Sequence, residues 1–135
     1  MSAESVRLKS KGRYRVLIAD DSAFTRKLIR KILESTGEFE VIDEANNGSG
    51  AVVSYDENRP DLVILDVNMP IMDGLTAAKK ILQKDPNAKI IIVSAAGEQK
   101  LLAKQAGEIG VKAIISKPFN PSKIVDVAKK VVTKG

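Results

Sequence analysis

Five short aliphatic runs, separated by longer amphipathic stretches, constrain the fold of this chain more than any other feature. Consecutive aliphatic residues are typical of strands that are buried on both faces of a sheet. Between the runs, apolar residues recur at helical spacing, and Pro, Asn and Gly mark the helix ends. The runs predict strands at 16–19, 41–42, 62–65, 90–93 and 113–115, with helices at about 24–33, 49–58, 75–84, 101–109 and 124–131.

The alternation of strands and helices predicts an open α/β sandwich. Right-handed crossover connections place the helices on both faces of a parallel sheet. The chain has 135 residues, of which 44% are hydrophobic, so one domain with its own core accounts for the length. Residues 1–14 are polar and lack periodicity, and we expect them to form a flexible basic arm ahead of a domain at 15–135.

Charge and composition exclude several classes of function. The first 15 residues hold five basic side chains and one acidic one, so they carry +4 of the formal net charge of +5. The predicted domain is therefore nearly neutral and has no Trp, which argues against nucleic-acid binding. No apolar run is long enough for a bilayer, so we expect a cytoplasmic protein without membrane insertion. The absence of Cys and His excludes disulfides, His-ligated zinc, Ser-His triads and a phosphohistidine on these residues.

Five polar residues follow the predicted strands. Asp20 and Asp21 come after the first strand, and Asp66 ends the third. Ser94 follows the fourth strand and Lys117 the fifth. In open parallel sheets, ligand-binding side chains gather beyond the carboxyl ends of the strands, where the strand order reverses. We therefore expect three carboxylates, a hydroxyl and an ammonium group to meet at one rim.

Three carboxylates in one pocket require a counter-charge. Two carboxylates about 5 Å apart repel each other by roughly 3 kcal/mol at an effective dielectric constant of about 20. Mg²⁺ relieves this repulsion, because it binds carboxylates, keeps several waters and usually completes its coordination with phosphate oxygens. Asp66 is then the natural nucleophile for a phosphoryl group, with Lys117 and Ser94 holding two of its oxygens.

Each of these residues also has an ordinary structural interpretation. An Asp-Asp pair before a helix is most often an acidic helix start, with Asp21 or Ser22 as the N-cap. Lys117-Pro118 fits a simple turn, although an X-Pro bond at a strand end is a candidate for the cis isomer. Ser94 alone is nearly uninformative. The placement of all five residues at one rim favours a functional site over these separate interpretations.

Four segments together resemble a known family. The motifs VLIADDSAFTRKLIRKIL, PDLVILDVNMPIMDGL, KIIIVSA and AIISKPF, within about residues 15–133, resemble the receiver domains of two-component response regulators, most closely the single-domain chemotaxis type. The resemblance implies a flavodoxin-like (βα)5 fold, a doubly wound parallel five-stranded sheet in the order 2-1-3-4-5. The site residues that it implies are Asp66 as phosphoacceptor, Asp20 and Asp21 as the Mg²⁺-binding pair, the backbone carbonyl of Asn68 as a further ligand, Ser94 as the switch hydroxyl and Lys117 as the phosphate-binding lysine.

The resemblance also implies how a signal enters and leaves. A histidine kinase donates the phosphoryl group to this monomeric switch, which later hydrolyses its own acyl phosphate and is not a conventional enzyme. One position departs from the family pattern: three residues before the lysine, where receivers usually carry an aromatic switch residue, the chain has Ile114. Output is expected through a protein partner that binds helix 4, strand 5 and helix 5, at Lys100, Lys104, Ala113, Lys123 and Val127.

Other functions remain open. A receiver-fold adaptor would bind its partner whether or not it is phosphorylated; Ile114 favours this alternative and the acidic pocket opposes it. The chain could also be the receiver half of a longer regulator. An aspartate-nucleophile phosphatase is disfavoured. Such an enzyme needs a second acid two residues after the nucleophile, and this chain has Asn68 there, so the general acid is missing. Flavin binding is disfavoured because no Ser/Thr/Gly-rich phosphate loop follows the first strand.

Overall fold

Five strands alternate with five helices in the computed structural model, which describes residues 12–134. Every strand and helix predicted from the sequence is confirmed. In chain order the elements are β1 Tyr14–Ala19, α1 Ala23–Glu34, β2 Phe39–Ala45, α2 Gly48–Asn58, β3 Leu62–Asp66, α3 Gly74–Lys84, β4 Ile90–Ser94, α4 Gln99–Ile109, β5 Ala113–Ser116 and α5 Pro121–Thr133.

The strands form one parallel sheet in the order β2-β1-β3-β4-β5, which confirms the predicted flavodoxin-like topology. The direction of strand addition reverses between β1 and β3, which are neighbours in the sheet. Ala19 at the end of β1 pairs with Leu65, and Asp66 pairs with Val93 of β4. The residues that follow these strands therefore lie at one rim of the sheet.

Two hydrophobic cores, one on each face of the sheet, hold the helices. Successive strand residues point to opposite faces, so Val16 and Ile18 join the core beneath α1 and α5, whereas Leu17 and Ala19 join the core beneath α2, α3 and α4. Burial on both faces explains the unbroken aliphatic runs of β3 and β4. None of the helices in residues 12–134 has the length and apolar character needed to cross a membrane.

The helices differ in how they begin. Ser22, Asn47, Asp73 and Asn120 cap α1, α2, α3 and α5 by accepting hydrogen bonds from first-turn N–H groups. The side chain of Glu98, which precedes α4, makes no such bond, and the fully buried residue of α4 is Ala106. Within the described part of the chain, α4 is therefore the helix with the weakest anchoring.

Two strands, β1 and β2, have bounds that differ from the sequence prediction. β1 begins at Tyr14, which the sequence placed in the basic arm; its N–H donates to the Glu38 carbonyl and its ring lies 5.9 Å from that of Phe39. β2 runs past the predicted 41–42, because it is an edge strand in which acidic residues interrupt the aliphatic pattern. Residues 1–11, which form most of the predicted arm, lie outside the described residues.

Candidate functional site

β3 carries Asp66 to the rim of the sheet at the end of a buried strand, and the residue is only 4% exposed. The chain then folds back over it: the N–H of Gly74, the first residue of α3, donates to the carbonyl oxygen of Val67 at 2.9 Å. A Cβ at position 74 would collide with the carbonyl oxygen of Asp66, so this close return needs a glycine. The β3–α3 connection thereby fixes the backbone of Asp66.

Asp20, which follows β1, is held through both its backbone and its side chain. It is 1% exposed, and its Oδ1 accepts a hydrogen bond from the N–H of Ser22 at 2.8 Å. Its own N–H donates to the Ala45 carbonyl at 3.1 Å, while Arg26 donates to the Asp20 carbonyl at 2.6 Å. Ser22 is the N-cap of α1, which settles the choice between the two cap candidates.

An ion-pair cluster on α1 and β2 holds the arginine that contacts Asp20. Arg26 Nε donates to Glu44 Oε1 at 2.8 Å, and Arg30 donates to the other oxygen of Glu44 at 2.6 Å. Burial opposes ionisation of Glu44, but the hydrogen bonds from Arg30 and Arg26 outweigh it and lower the pKa of this carboxyl group. The cluster therefore links the edge strand to the backbone of Asp20.

Three carboxylates and one ammonium group meet at the rim. One oxygen each from Asp20, Asp21 and Asp66 lies within 4.8 Å of the other two, with Asp21 the exposed member. Lys117 Nζ lies 3.4 Å from Asp20 Oδ2 and 3.5 Å from Asp66 Oδ1. When all four groups are ionised, the three carboxylates and the single ammonium leave a net charge of −2. This oxygen-rich acidic cluster can bind a metal ion, and its donors are those that hard divalent cations prefer.

The electrostatics of Asp66 point to the same need for a cation. Burial raises the pKa of Asp66 above its ordinary value of 3.8, and repulsion from Asp20 adds to the effect. Lys117 and the backbone N–H of Asn68, which donates to the Asp66 carboxylate, act in the opposite direction. A divalent cation beside these carboxylates would offset the part of their mutual repulsion that the ammonium group of Lys117 does not neutralise.

Ser94, the fifth residue predicted at the rim, is fully buried. Its Oγ has no hydrogen-bond partner among residues 12–134. It follows Val93, the partner of Asp66 in the sheet, and its carbonyl accepts from the N–H of Lys117 at 2.8 Å. A buried polar group without a partner costs about 1–3 kcal/mol, so this hydroxyl is available to a ligand that enters beside Asp66. The neighbouring Lys117–Pro118 bond is cis.

Asn68 and Ile114 lie at the edges of this arrangement. Asn68 is exposed, and its side-chain Nδ2 donates to Glu98 Oε1 at 3.3 Å. The metal-ligand role that the resemblance implied for its carbonyl stays a prediction. Ile114 lies opposite Ile92 in the sheet, is half-buried and packs against the core beneath α2, α3 and α4.

The residues predicted to form a partner surface divide into two kinds. Lys100 and Lys104 on α4 and Lys123 on α5 are exposed. Ala113 and Val127 are half-buried and pack against the core beneath α1 and α5. The exposed part of this predicted surface is therefore basic, and its role as a partner surface stays a prediction.

Three residues that sequence reasoning did not single out touch the site. Gly74 and Arg26 hold the backbones of Asp66 and Asp20, and Glu98 accepts from the N–H of Ala95 at 2.9 Å. A glycine as the first residue of a helix directly after an Asp N-cap was a signal for Gly74. Arg26 and Glu98 had no comparable signal, because their roles depend on partners 18 and 30 residues away along the chain.

Comparison with known proteins places the chain in a family. Residues 16–129 match the response regulator receiver domain model. Chemotaxis protein CheY of Thermotoga maritima is 47% identical over 117 residues, which make up 87% of this chain and 96% of that protein. Chemotaxis protein CheY of Bacillus subtilis is 46% identical with the same coverage. A chain of the CheX-CheY-BeF3-Mg²⁺ complex from Borrelia burgdorferi superposes with a TM-score of 0.85 at 37% identity, covering 91% of this chain and 92% of that chain. The protein therefore belongs to the response regulator receiver domain family, as a CheY-like member.

Proposed function

We propose that Asp66 accepts a phosphoryl group from the phosphohistidine of a histidine kinase, and that the phosphorylated protein signals through changed affinity for a protein partner in chemotaxis or motility. As a receiver domain the chain is a signalling switch and not a conventional enzyme. The observation that carries the proposal is the buried carboxylate of Asp66, which lies in an acidic cluster beside an ammonium group and an unpartnered hydroxyl.

The phosphoryl transfer is a displacement at phosphorus. A carboxylate oxygen of Asp66 attacks, the O–P bond forms as the P–N bond of the phosphohistidine breaks, and the imidazole leaves with the electron pair and takes a proton from solvent. Since residues 1–135 contain no His, the phosphohistidine lies outside these residues. Hydrolysis later reverses the modification: water attacks phosphorus, the O–P bond breaks, and the carboxylate and inorganic phosphate are released.

Asp20, Asp21 and Asp66 would hold Mg²⁺ with their carboxylates, together with the backbone carbonyl of Asn68. The all-oxygen donor set and the excess negative charge of the cluster support this choice of metal. When bound, the ion supplies neutralising charge to the oxygens of the transferred group. Arg26 and Ser22 position Asp20 for this role through its carbonyl and its Oδ1.

Lys117 and Ser94 would bind the phosphoryl group after transfer. Lys117 already lies within 3.5 Å of Asp66, so a short movement brings its ammonium group onto a phosphoryl oxygen. The Ser94 hydroxyl gains the hydrogen-bond partner that it lacks among the described residues. Its movement toward the phosphoryl group would pull on the loop between β4 and α4.

The changed surface would comprise α4, β5 and α5, at Lys100, Lys104, Ala113, Lys123 and Val127. The basic exposed residues of this surface favour a partner with acidic residues. We propose that the protein acts as a cytoplasmic monomer and binds neither nucleic acid nor membranes. To move a population from 1:99 to 99:1, the phosphoryl group must favour the active state by about 5.5 kcal/mol.

Ile114 would couple the site to that surface without an aromatic ring. It lies on β5 against the core beneath α4, and its carbonyl accepts from Gln99 at the start of α4. Ile114→Ala should reduce the difference in partner affinity between the phosphorylated and unphosphorylated forms. An unchanged difference in a binding titration would remove Ile114 from the coupling.

A phosphorylation-independent adaptor is the second candidate, and the aliphatic Ile114 at the switch position favours it. Such a protein would bind its partner with equal affinity as the unmodified form, as the phosphorylated form and as Asp66→Ala. Unequal affinities would exclude this function.

The leading proposal is tested with a small phosphodonor. The protein is incubated with acetyl phosphate, with and without Mg²⁺, and its intact mass is measured. We expect a gain of one phosphoryl group that requires Mg²⁺ and is abolished in Asp66→Ala, while Asp126→Ala on the exposed side of α5 behaves as the native chain. A native chain that never gains the group would contradict the proposal.

A further inference from the structure

The carboxylate of Glu98 lies between the two loops that border Asp66. Glu98 Oε1 accepts from the N–H of Ala95 at 2.9 Å and from Asn68 Nδ2 at 3.3 Å. Ala95 directly follows Ser94 at the end of β4, and Asn68 comes two residues after Asp66 at the end of β3. Because β3 and β4 are neighbours, a single carboxylate oxygen ties together the chain segments on either side of the site.

Part of this arrangement is a local turn. The Glu98 N–H donates to the Ala95 carbonyl at 3.1 Å while the Glu98 side chain accepts from the Ala95 N–H, which is one of the two bonds of a capping box. The contact with Asn68 is not local, because the two residues are 30 positions apart. A helix cap alone does not require it, and α4 receives no side-chain cap from Glu98.

We propose that Glu98 is a resident anion of the phosphoryl pocket: it occupies the Ala95 N–H and the Asn68 amide until a phosphoryl group on Asp66 displaces it. This inference rests on the proposed function of Asp66. A phosphoryl group brings three strong acceptor oxygens and a charge of about −1.5 to −2, and it needs donors beside Asp66. Lys117 lies beside that position, and Ser94 with its unpartnered hydroxyl follows Val93, the sheet partner of Asp66. The N–H of Ala95, which follows Ser94, is already bound to a carboxylate.

The competition has two consequences. Glu98 contacts Asn68, two residues after Asp66, so its negative charge adds to that of the acidic cluster, repels an anionic donor and slows phosphorylation. It also holds the start of α4 to the β3–α3 loop, and Ala106 is the one fully buried residue of that helix. Before phosphorylation, Glu98 therefore restrains α4. Displacement of Glu98 by the phosphoryl group then releases the start of this helix.

Two variants and a matched control separate this role from a structural one. Glu98→Gln keeps an acceptor oxygen and removes the charge, Glu98→Ala removes both, and Glu108→Gln changes the net charge equally at the far end of α4. Rates of phosphoryl gain are measured by intact mass with acetyl phosphate and Mg²⁺. We expect both Glu98 variants to gain the phosphoryl group roughly three- to tenfold faster than the native chain. This is the size of effect expected when one screened negative charge near the acetyl phosphate dianion is removed. Glu108→Gln should match the native rate.

Nuclear magnetic resonance supplies a readout of the contact itself. Beryllofluoride with Mg²⁺ mimics the phosphoryl group. When it is added to the native chain, the Asn68 side-chain amide resonance should shift toward the position that it has in Glu98→Ala without the mimic, because both states lack the Glu98 contact. The inference would be overturned if the native chain is phosphorylated but its Asn68 resonance does not move, and the Glu98 variants react at the same rate as Glu108→Gln. The proposed function would then still stand. A native chain that takes up neither the phosphoryl group nor the mimic would overturn both.

Discussion

The two sides of the site are built differently. Asp20, Asp66 and Lys117 lie at the ends of β1, β3 and β5 and are held by ion pairs and a close backbone return. On the other side, Ser94 has an unpartnered hydroxyl among the described residues and leads into α4, whose one fully buried residue is Ala106. By contrast, α3 buries Gly74, Ala77, Ala78, Ile81 and Leu82.

This difference assigns the proposed phosphoryl transfer to one side of the site and the conformational response to the other. A nucleophile and its metal ligands must be held in place before the reaction, because poorly positioned groups lose most of their catalytic advantage. An element that reports the reaction must have a second arrangement within a few kcal/mol, and segments with few buried contacts meet this condition. In the proposed function, the side that holds Asp20, Asp66 and Lys117, which we call the acceptor side, is therefore preformed, and the β4–α4 side is the part able to move.

The largest effect is expected from the acceptor side. Asp20→Asn removes a buried carboxylate from the proposed metal site, and Mg²⁺-dependent phosphorylation from acetyl phosphate should fall about 100-fold. The rate is measured by intact mass. Asp126→Asn, which makes the same chemical change on the exposed side of α5, should keep the native rate. An Asp20→Asn rate within about twofold of the native rate would show that the metal site lies elsewhere.

The packing of the two sides can be compared by the same Gly→Ala substitution at Gly74 and at Gly107. Gly74→Ala drives a Cβ into the carbonyl oxygen of Asp66 and should lower the free energy of unfolding by about 1–3 kcal/mol. A Cβ at Gly107 in α4 meets open space, so Gly107→Ala should raise the free energy of unfolding by about 0.5–1 kcal/mol. Urea denaturation measures both. Changes of the same sign would contradict the proposed difference in packing.

The pH dependence of stability tests the electrostatics of Asp66. Its pKa is raised in the folded protein, so the folded state binds this proton more tightly than the unfolded state. Stability should therefore fall as pH rises from about 3.8 through the raised pKa. Asp66→Asn removes this loss, and without divalent cations it should be more stable than the native chain by on the order of 1 kcal/mol at neutral pH. The two proteins should converge at acidic pH; a constant difference would indicate another cause.

The smallest change in stability is expected at Ser94. Its Oγ has no partner among the described residues, so in Ser94→Ala the desolvation cost that is removed and the packing of the lost oxygen act in opposite directions. We expect the two to offset each other, so that the free energy of unfolding changes by less than about 0.5 kcal/mol. Ser54 is the matched control, because its buried hydroxyl donates to Asp43 at 2.6 Å. Ser54→Ala should cost about 1–3 kcal/mol in the same urea experiment. Equal losses would mean that the Ser94 hydroxyl is hydrogen-bonded in solution.

The topology and the acidic cluster follow from local sequence patterns. Burial on both faces makes β3 and β4 visible as aliphatic runs, and the parallel sheet then brings Asp20, Asp66 and Lys117 to one rim. β2 was predicted too short because its acidic residues Glu40, Asp43 and Glu44 interrupt the aliphatic pattern.

The supporting contacts could not be predicted, because they depend on how distant segments meet. Arg26 reaches Glu44 only when β2 lies in its observed register, and Glu98 reaches Asn68 only when α4 begins beside the β3–α3 loop. A side chain that acts through such partners carries no local pattern of its own. The residues proposed to react were thus easier to recognise than the residues that restrain them.

Hydrogen–deuterium exchange tests the contrast between the two sides most directly. The protein with Mg²⁺ is compared before and after phosphorylation by acetyl phosphate, with the adduct verified by intact mass. Exchange at residues 94–109 should change by at least about fivefold, while β1 and β3 stay within about twofold. An adduct that leaves 94–109 unchanged, or that alters β1 and β3 as much, would contradict a preformed acceptor side coupled to a movable α4.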